Sequence, residues 1–253
     1  THAQANIVEG EAVKLAVRDA RPDLVLNAAA YTDVEKAEDD ERGAFHTNAN
    51  GAQRIAEASA ALEVPVVYFS TDFVFDGTKR DAYTPEDKTS PKSVYAKSKL
   101  RGEENTLWSN PQSFVIRTAW LYGPGGNNFV EKIAKAAASR PSLRVVSDEI
   151  GSPTYTRDLA AATRALVKTK AYGIYHAVNA GVRSRYEFAQ AIVKEAGLET
   201  PIEPCSASEY PMKAARPAYS VLSNEKLETA SGIVMPEWRD ALARYMKQRE
   251  NAA

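Results

Sequence analysis

The chain has 253 residues, 44% hydrophobic and 26% charged, with a formal net charge of −1; this is ordinary globular composition, long enough for one large α/β unit or a larger domain plus a smaller one. The balanced charge gives no electrostatic case for nucleic acid or an anionic membrane as partner, no apolar run approaches a bilayer span, and no signal-type segment is expected at the start. Cys205 is the only cysteine, so no internal disulfide forms and a reducing, cytoplasmic home is expected; His2, His46 and His176 are scattered without ligand spacing, so no metal site is expected.

Thr1 stands where a methionine would open a chain, and a helical pattern with Val8, Ala12, Val13, Ala16, Val17 and Ala20 on one side begins almost at once. The sequence is therefore expected to be cut from a longer one. Arg21-Pro-Asp23 stops that helix, and Leu24 to Ala30 reads as a strand buried on both faces, the kind parallel sheets use. A long helix is predicted from about Asp39 to Leu62, then a second buried strand from Val64 to Phe69. The polar, turn-rich stretch from Asp76 to Lys92 leads into a helix carrying Tyr95, and Ser113 to Thr118 is a third strand. Strand and helix alternate three times, which predicts a parallel α/β sheet with helices on both faces.

Beyond Trp120 the rhythm loosens. A helix is predicted from about Asn128 to Ser139, a short strand at Leu143–Val146, a helix from near Thr156, and a strand at Gly173–Val178. Ser184-Arg-Tyr-Glu187 is a capping box that opens a helix ending at Gly197. Pro201 to Ser223 holds four prolines and is expected to be irregular, and a last amphipathic helix carries Trp238, Leu242, Tyr245 and Met246. This half is expected to form a smaller lobe over the carboxyl edge of the sheet, where α/β sheets bind ligands.

Three segments end their strands on that one edge: Ala28-Ala-Ala30, Ser70-Thr-Asp72 and Thr118-Ala-Trp120. Small alanines there admit a flat cofactor against the backbone, or serve tight helix–strand packing. Tyr95 and Lys99 lie four apart on a helix and so project from one face. A hydroxyl, a phenol and an ammonium converging on one point suit proton delivery to a carbonyl oxygen whose carbon receives hydride.

Asn27-Ala-Ala-Ala-Tyr-Thr32 with Val34-Glu-Lys-Ala-Glu38, Ser70-Thr-Asp-Phe-Val-Phe-Asp-Gly77, Tyr95-Ala-Lys-Ser-Lys99 and Arg117-Thr-Ala-Trp-Leu-Tyr-Gly123 resemble the extended short-chain dehydrogenase/reductases, and among them the dTDP-4-dehydrorhamnose reductase family. Gly126-Asn-Asn-Phe129, Gly151-Ser-Pro-Thr154 and Arg216-Pro-Ala-Tyr-Ser220 extend the likeness over essentially the whole chain. The resemblance implies a doubly wound parallel Rossmann-type sheet over residues 1–122 and a mainly substrate-binding lobe over 123–253, with about 155–180 returning to the first domain. It implies NADPH or NADH as cofactor, a nucleotide sugar as substrate, and a homodimer as an open assembly. Tyr95 would donate the proton, with Lys99 as its partner and holder of the nicotinamide ribose, and Thr71 would bond the reacting oxygen. Ala29, Ala30, Tyr31, Thr32 and Phe69 would line the dinucleotide together with Tyr95 and Lys99. Thr71, Asp72 and Trp120 would meet the sugar. Asn48 would order a proton-relay water or simply bond its surroundings.

Two departures stand out. Phe73 occupies a position where these reductases carry tyrosine, and nothing before Asn27 forms the glycine-rich phosphate loop or the residues that separate NADH from NADPH. Two other readings stay open: a nucleotide-sugar dehydratase or epimerase on the same fold, and a regulatory subunit that binds dinucleotide without turnover. Phe73 cannot shuttle a proton, which counts against dehydration; intact Thr71, Tyr95 and Lys99 count against the regulatory reading.

Overall fold

The computed structural model describes residues 6–250; Thr1 and His2 lie outside the described residues. The first predicted helix is α1 (Gly10–Ala20), closed by Arg21 in the left-handed region at φ 43°. After β1 (Val25–Asn27) come the short helices α2 (Val34–Ala37) and α3 (Glu41–Phe45), capped by the side chains of Asp33 and Asp40. A π-helical turn, His46–Gly51, runs directly into α4 (Ala52–Ala60). The long helix predicted here is thus present with one wide turn in its middle, the kind of bulge that recurs at functional sites. β2 (Val66–Thr71), α5 (Val94–Ser109) and β3 (Ser113–Thr118) complete the first half.

β4 (Leu121–Tyr122), α6 (Phe129–Ala137), β5 (Leu143–Val146), β6 (Ile150–Gly151) and β7 (Thr154–Tyr155) follow. Then come α7 (Thr156–Val167), β8 (Gly173–His176), β9 (Arg183–Ser184), α8 (Arg185–Glu195), β10 (Ile202–Cys205), α9 (Glu225–Ser231) and α10 (Trp238–Glu250). The capping box of Ser184 and Glu187 forms as the sequence predicts.

The main sheet has order β1-β2-β3-β8, and every pairing in it is parallel. Alternation along the strands sorts the core into two layers, as period two requires. Val66 packs with α1 and α4 through Val13, Ile55 and Ala56, and Tyr68 and Val115 pack with Ala52. Val67, Phe114 and Ile116 point the other way, onto Leu159 and Leu166 of α7 and Leu227 of α9. A separate aromatic core joins Tyr122, Tyr155, Phe188, Trp238 and Tyr245 between α6, α8 and α10. Among the described residues no helix is long and apolar enough to cross a membrane.

Two expectations are corrected. The strand at Leu24 to Ala30 is not buried on both faces. It is ordered as a strand only over Val25–Asn27, and Leu26 is 54% exposed. Among the described residues β1 pairs on one edge only, with β2, so its outer edge is unpaired. The segment after Pro201 is not wholly irregular either. β10 pairs in parallel with β5, Pro204 opposite Val145, and a strand at the edge of a pair tolerates a residue without an N–H.

Candidate active site

Ser93 and Glu38 hold the start of α5. The Ser93 hydroxyl accepts from the Ala96 N–H at 3.2 Å, and the Glu38 carboxylate accepts from the Val94 N–H at 2.8 Å. In the first turn, Tyr95 faces the end of β2, where the Thr71 hydroxyl acts on the phenol. Burial is the largest cause pushing the phenol up to about 12; Thr71 opposes the shift and Asp72 adds to it. Thr71 is buried, donates to Asp72 Oδ1 at 3.1 Å and accepts from the Phe73 N–H at 3.2 Å. The Phe73 ring meets Tyr95 edge-on, centroids 6.0 Å apart.

Lys99 comes one turn further along α5 and is buried. Its ammonium donates to the Phe69 carbonyl at 2.5 Å and lies 4.1 Å from the centroid of the Tyr68 ring. Burial pulls its pKa down to about 7, against an opposing pull from Glu103. Glu103 is itself bound to Arg117 of β3 at 2.7 Å, an ion pair with both side chains buried. Three N–H groups on an ammonium leave Lys99 donors beyond the one taken by Phe69.

At the end of β1, Ala29 and Thr32 are exposed and Ala30 and Tyr31 are half-buried, so backbone is open to a ligand there. Asn48, in the π turn, locks this loop. Its amide accepts from the Tyr31 N–H at 2.8 Å and donates to the Tyr31 carbonyl at 3.1 Å and to the Ser98 hydroxyl at 2.9 Å. Its side chain therefore makes three hydrogen bonds within the protein, and its amide oxygen keeps a second lone pair. The structure thus brings Thr71, Tyr95, Lys99, Phe69 and the Ala29–Thr32 loop to one edge of the sheet. These residues fit the nicotinamide and ribose half of a dinucleotide: small exposed residues on one side, a donor-rich ammonium on the other, and at the neighbouring strand ends the buried hydroxyls of Ser70 and Thr118, which have no partner among the described residues.

Asp72 and Trp120 lie on the lobe side. Asp72 is buried, its Oδ2 without a hydrogen-bond partner among the described residues, and burial raises its pKa to about 6 although Ser220, Thr71 and Arg185 oppose it. Trp120 adopts φ 46°, a conformation bulky residues rarely hold and one that clusters at functional sites. Gly151 makes room for it, since a Cβ there would lie 2.7 Å from the indole. The Arg185 guanidinium sits 3.6 Å from the centre of the Trp120 ring, so at least one face of the indole is already covered.

Next to Arg185 opens a pocket of about 800 Å³ lined by Phe129, Arg144, Tyr210, Met212 and Arg216 among others, a volume that suits a drug-sized ligand. Glu35 of α2 crosses to this wall, accepting from the Lys213 N–H at 2.9 Å and from Arg216 at 3.3 Å. Sequence reasoning missed Tyr68, Arg185 and the Glu35 contacts. Arg216 and Ser220 were visible as a motif, without a role.

Isosteric replacement tests Asp72. An acid whose folded pKa is raised from 3.8 to about 6 costs stability above pH 6, and the cost vanishes as pH falls toward 3.8. Asp72→Asn is expected to melt above wild type at pH 7.5, by up to about 3 kcal/mol, and to converge with it near pH 4. Parallel melting curves at both pH values would show that the carboxyl is not buried as described.

Residues 1–251 match the family model described as the RmlD substrate binding domain. The spore coat polysaccharide biosynthesis protein SpsK of Bacillus subtilis is 44% identical over 254 residues, covering 100% of this chain and 88% of that protein. The dTDP-4-dehydrorhamnose reductase of Mycolicibacterium smegmatis is 40% identical over 246 residues, covering 96% of this chain and 75% of that one. Among solved structures, the dTDP-4-dehydrorhamnose reductase of Bacillus anthracis in complex with NADP superposes with a TM-score of 0.95 at 36% identity, covering 98% of this chain and 88% of that one.

Proposed function

The chain belongs to the RmlD substrate binding domain family, and from that premise we propose that it reduces the 4-keto group of a nucleotide sugar with NADPH or NADH, taking dTDP-4-dehydro-L-rhamnose to dTDP-L-rhamnose. The observation that carries the reading is the convergence of Thr71, Tyr95 and Lys99 at the sheet edge beside an open backbone loop, together with the pocket of about 800 Å³ on the lobe side. A cytoplasmic place accords with the single cysteine, and a part in polysaccharide building with the name of the Bacillus subtilis relative. The division at about residue 122 into a dinucleotide half and a substrate lobe belongs to the same proposal.

When bound, the dinucleotide supplies hydride to the carbonyl carbon. Tyr95 holds the proton for the oxygen: with its pKa pushed up to about 12, the phenol stays protonated until a basic oxygen forms beside it. Thr71 orients that oxygen. Lys99, one turn along the helix, stabilises the phenolate left behind and gives its remaining N–H groups to the ribose. Ala29, Ala30, Tyr31, Thr32 and Phe69 shape the dinucleotide wall, while Asp72 and Trp120 bound the sugar. With Arg185 stacked on its ring, Trp120 meets the sugar by whatever edge or face Arg185 leaves open.

Phe73 decides between neighbouring chemistries. Dehydration needs a proton shuttle beside the threonine and aspartate, and here that place holds a phenylalanine packed on the catalytic phenol. Incubation with dTDP-4-dehydro-L-rhamnose and NADPH should give dTDP-L-rhamnose with one cofactor oxidised per sugar. In a parallel incubation, loss of water from dTDP-glucose with NAD and without net cofactor turnover would assign the chain to dehydration, and binding without turnover of either sugar to a regulatory role.

Phe73→Tyr is expected to alter the sugar's KM by roughly threefold to tenfold, the worth of one hydrogen bond, while cofactor affinity holds. A change confined to the cofactor would place residue 73 on the wrong side of the site.

A further inference from the structure

Lys99 is a charge kept in the protein interior, 3% exposed, with no carboxylate bonded to its ammonium among the described residues. Such a group ordinarily loses its proton unless something replaces water around it. The nearest acid, Glu103, lies one turn along the same helix and is committed to Arg117 of β3. Asp72, at the end of β2, acts on the Tyr95 phenol. What faces the ammonium from the sheet is the ring of Tyr68, 4.1 Å away, together with the Phe69 carbonyl.

The other end of Tyr68 is equally specific. Its hydroxyl donates to the Asn48 carbonyl in the π turn at 3.1 Å and lies 3.3 Å from the Lys99 carbonyl in α5. Gly102 makes this possible: a Cβ there would stand 2.3 Å from the Tyr68 hydroxyl and 2.2 Å from the Asn48 carbonyl. Core packing alone would be served by an aliphatic residue, as at Val66 and Val67 beside it. A tyrosine here adds an electron-rich face under the ammonium and a hydroxyl that ties the widened helix to α5.

We infer that Tyr68 is a positioning residue for the reduction: its ring keeps Lys99 charged in the interior, and its hydroxyl sets the π turn, hence Asn48 and the Tyr31 loop, against the helix that carries Tyr95. This rests on the reading of Lys99 as the working ammonium. The ring face stabilises the charged form, so removing it lowers the pH at which Lys99 gives up its proton. The hydroxyl acts on geometry and leaves that pH unchanged.

The test separates the two ends of the side chain. The whole chain is labelled with ε-¹³C lysine, and the Lys99 resonance is identified by its loss in Lys99→Arg. Its titration midpoint is then followed without cofactor, alongside the alkaline limb of turnover. Tyr68→Phe should leave the midpoint in place and lower kcat roughly threefold to tenfold with KM unchanged. Tyr68→Leu should lower the midpoint by about 0.5 to 1.5 pH units and move the alkaline limb with it. If the leucine variant does not fold, phenylalanines carrying one to four ring fluorines at position 68 keep the shape and drain the face of charge. The midpoint should then fall with each fluorine. A midpoint indifferent to ring electronics overturns the inference. Full turnover in Lys99→Met would instead overturn the underlying reading of Lys99, whatever the Tyr68 variants do.

Discussion

Tyr95→Phe is expected to remove turnover by about 10² to 10⁴-fold, the range for loss of a general acid, while the protein folds as before and binds cofactor nearly unchanged. The phenol gives its proton only as the carbonyl oxygen gains charge, so the loss falls on kcat and not on affinity. The ring stays, and with it the edge contact to Phe73. The phenol is protonated in both the folded and the unfolded chain at neutral pH, so its raised pKa, about 12, adds no stability term there, and the melting temperature should not fall by more than a few degrees. Steady-state kinetics and dinucleotide titration on the variant check both halves. Near wild-type turnover would make Tyr95 a packing residue.

Lys99→Met separates function from stability more sharply. The buried ammonium is pulled from an ordinary 10.5 down to about 7, so the unfolded chain binds this proton more tightly than the folded one. Stability therefore rises with pH between about 7 and 10.5, and the full cost of the charge is present below pH 7. A methionine of similar shape should melt higher at pH 6.5, by a few kcal/mol at most after discounting the ring contact and the Phe69 bond, with the gain fading toward pH 10.5. Turnover should fall by about a hundredfold or more as the phenolate loses its partner. Dinucleotide affinity should drop by at least about tenfold with loss of charge-assisted hydrogen bonds. A variant both inactive and less stable at pH 6.5 would show that Lys99 is not a strained charge. Unchanged cofactor affinity would remove its ribose role.

Local features were the legible ones. Tyr95 and Lys99 could be paired because four residues on a helix is a fixed geometry, and Thr71 because a strand's end announces itself in an apolar run. The buried half of β2 and all of β3 read directly from their apolar side chains. β1 did not, because an apolar sequence records what a strand is suited to, while burial depends on which strands lie beside it. β10 hid behind Pro201 and Pro204: its pairing with β5 is a tertiary event, and prolines argue for a loop until an edge position is known. The π turn at His46–Gly51 carries no periodic signature that differs from an α-helix. Tyr68 and Arg185 were missed, and Arg216 was left without a role, for one common reason. Each matters through partners remote in sequence: Lys99 for the first, Trp120 for the second, Glu35 for the third. Gly102 and Gly151 offered a faint signal, since a glycine within a helix or a strand asks for a close approach, but neither names what approaches.

The central claim is that hydride arrives at the sugar's C4 and that Tyr95 protonates the oxygen there. A single turnover with NADPH deuterated at the transferring C4 position, using dTDP-4-dehydro-L-rhamnose, tests it directly. Mass spectrometry and NMR of the product should find one deuterium, at C4 of dTDP-L-rhamnose, and Tyr95→Phe should form the same labelled product far more slowly. Deuterium retained on the dinucleotide while the sugar changes, or label at any other sugar carbon, would contradict the account.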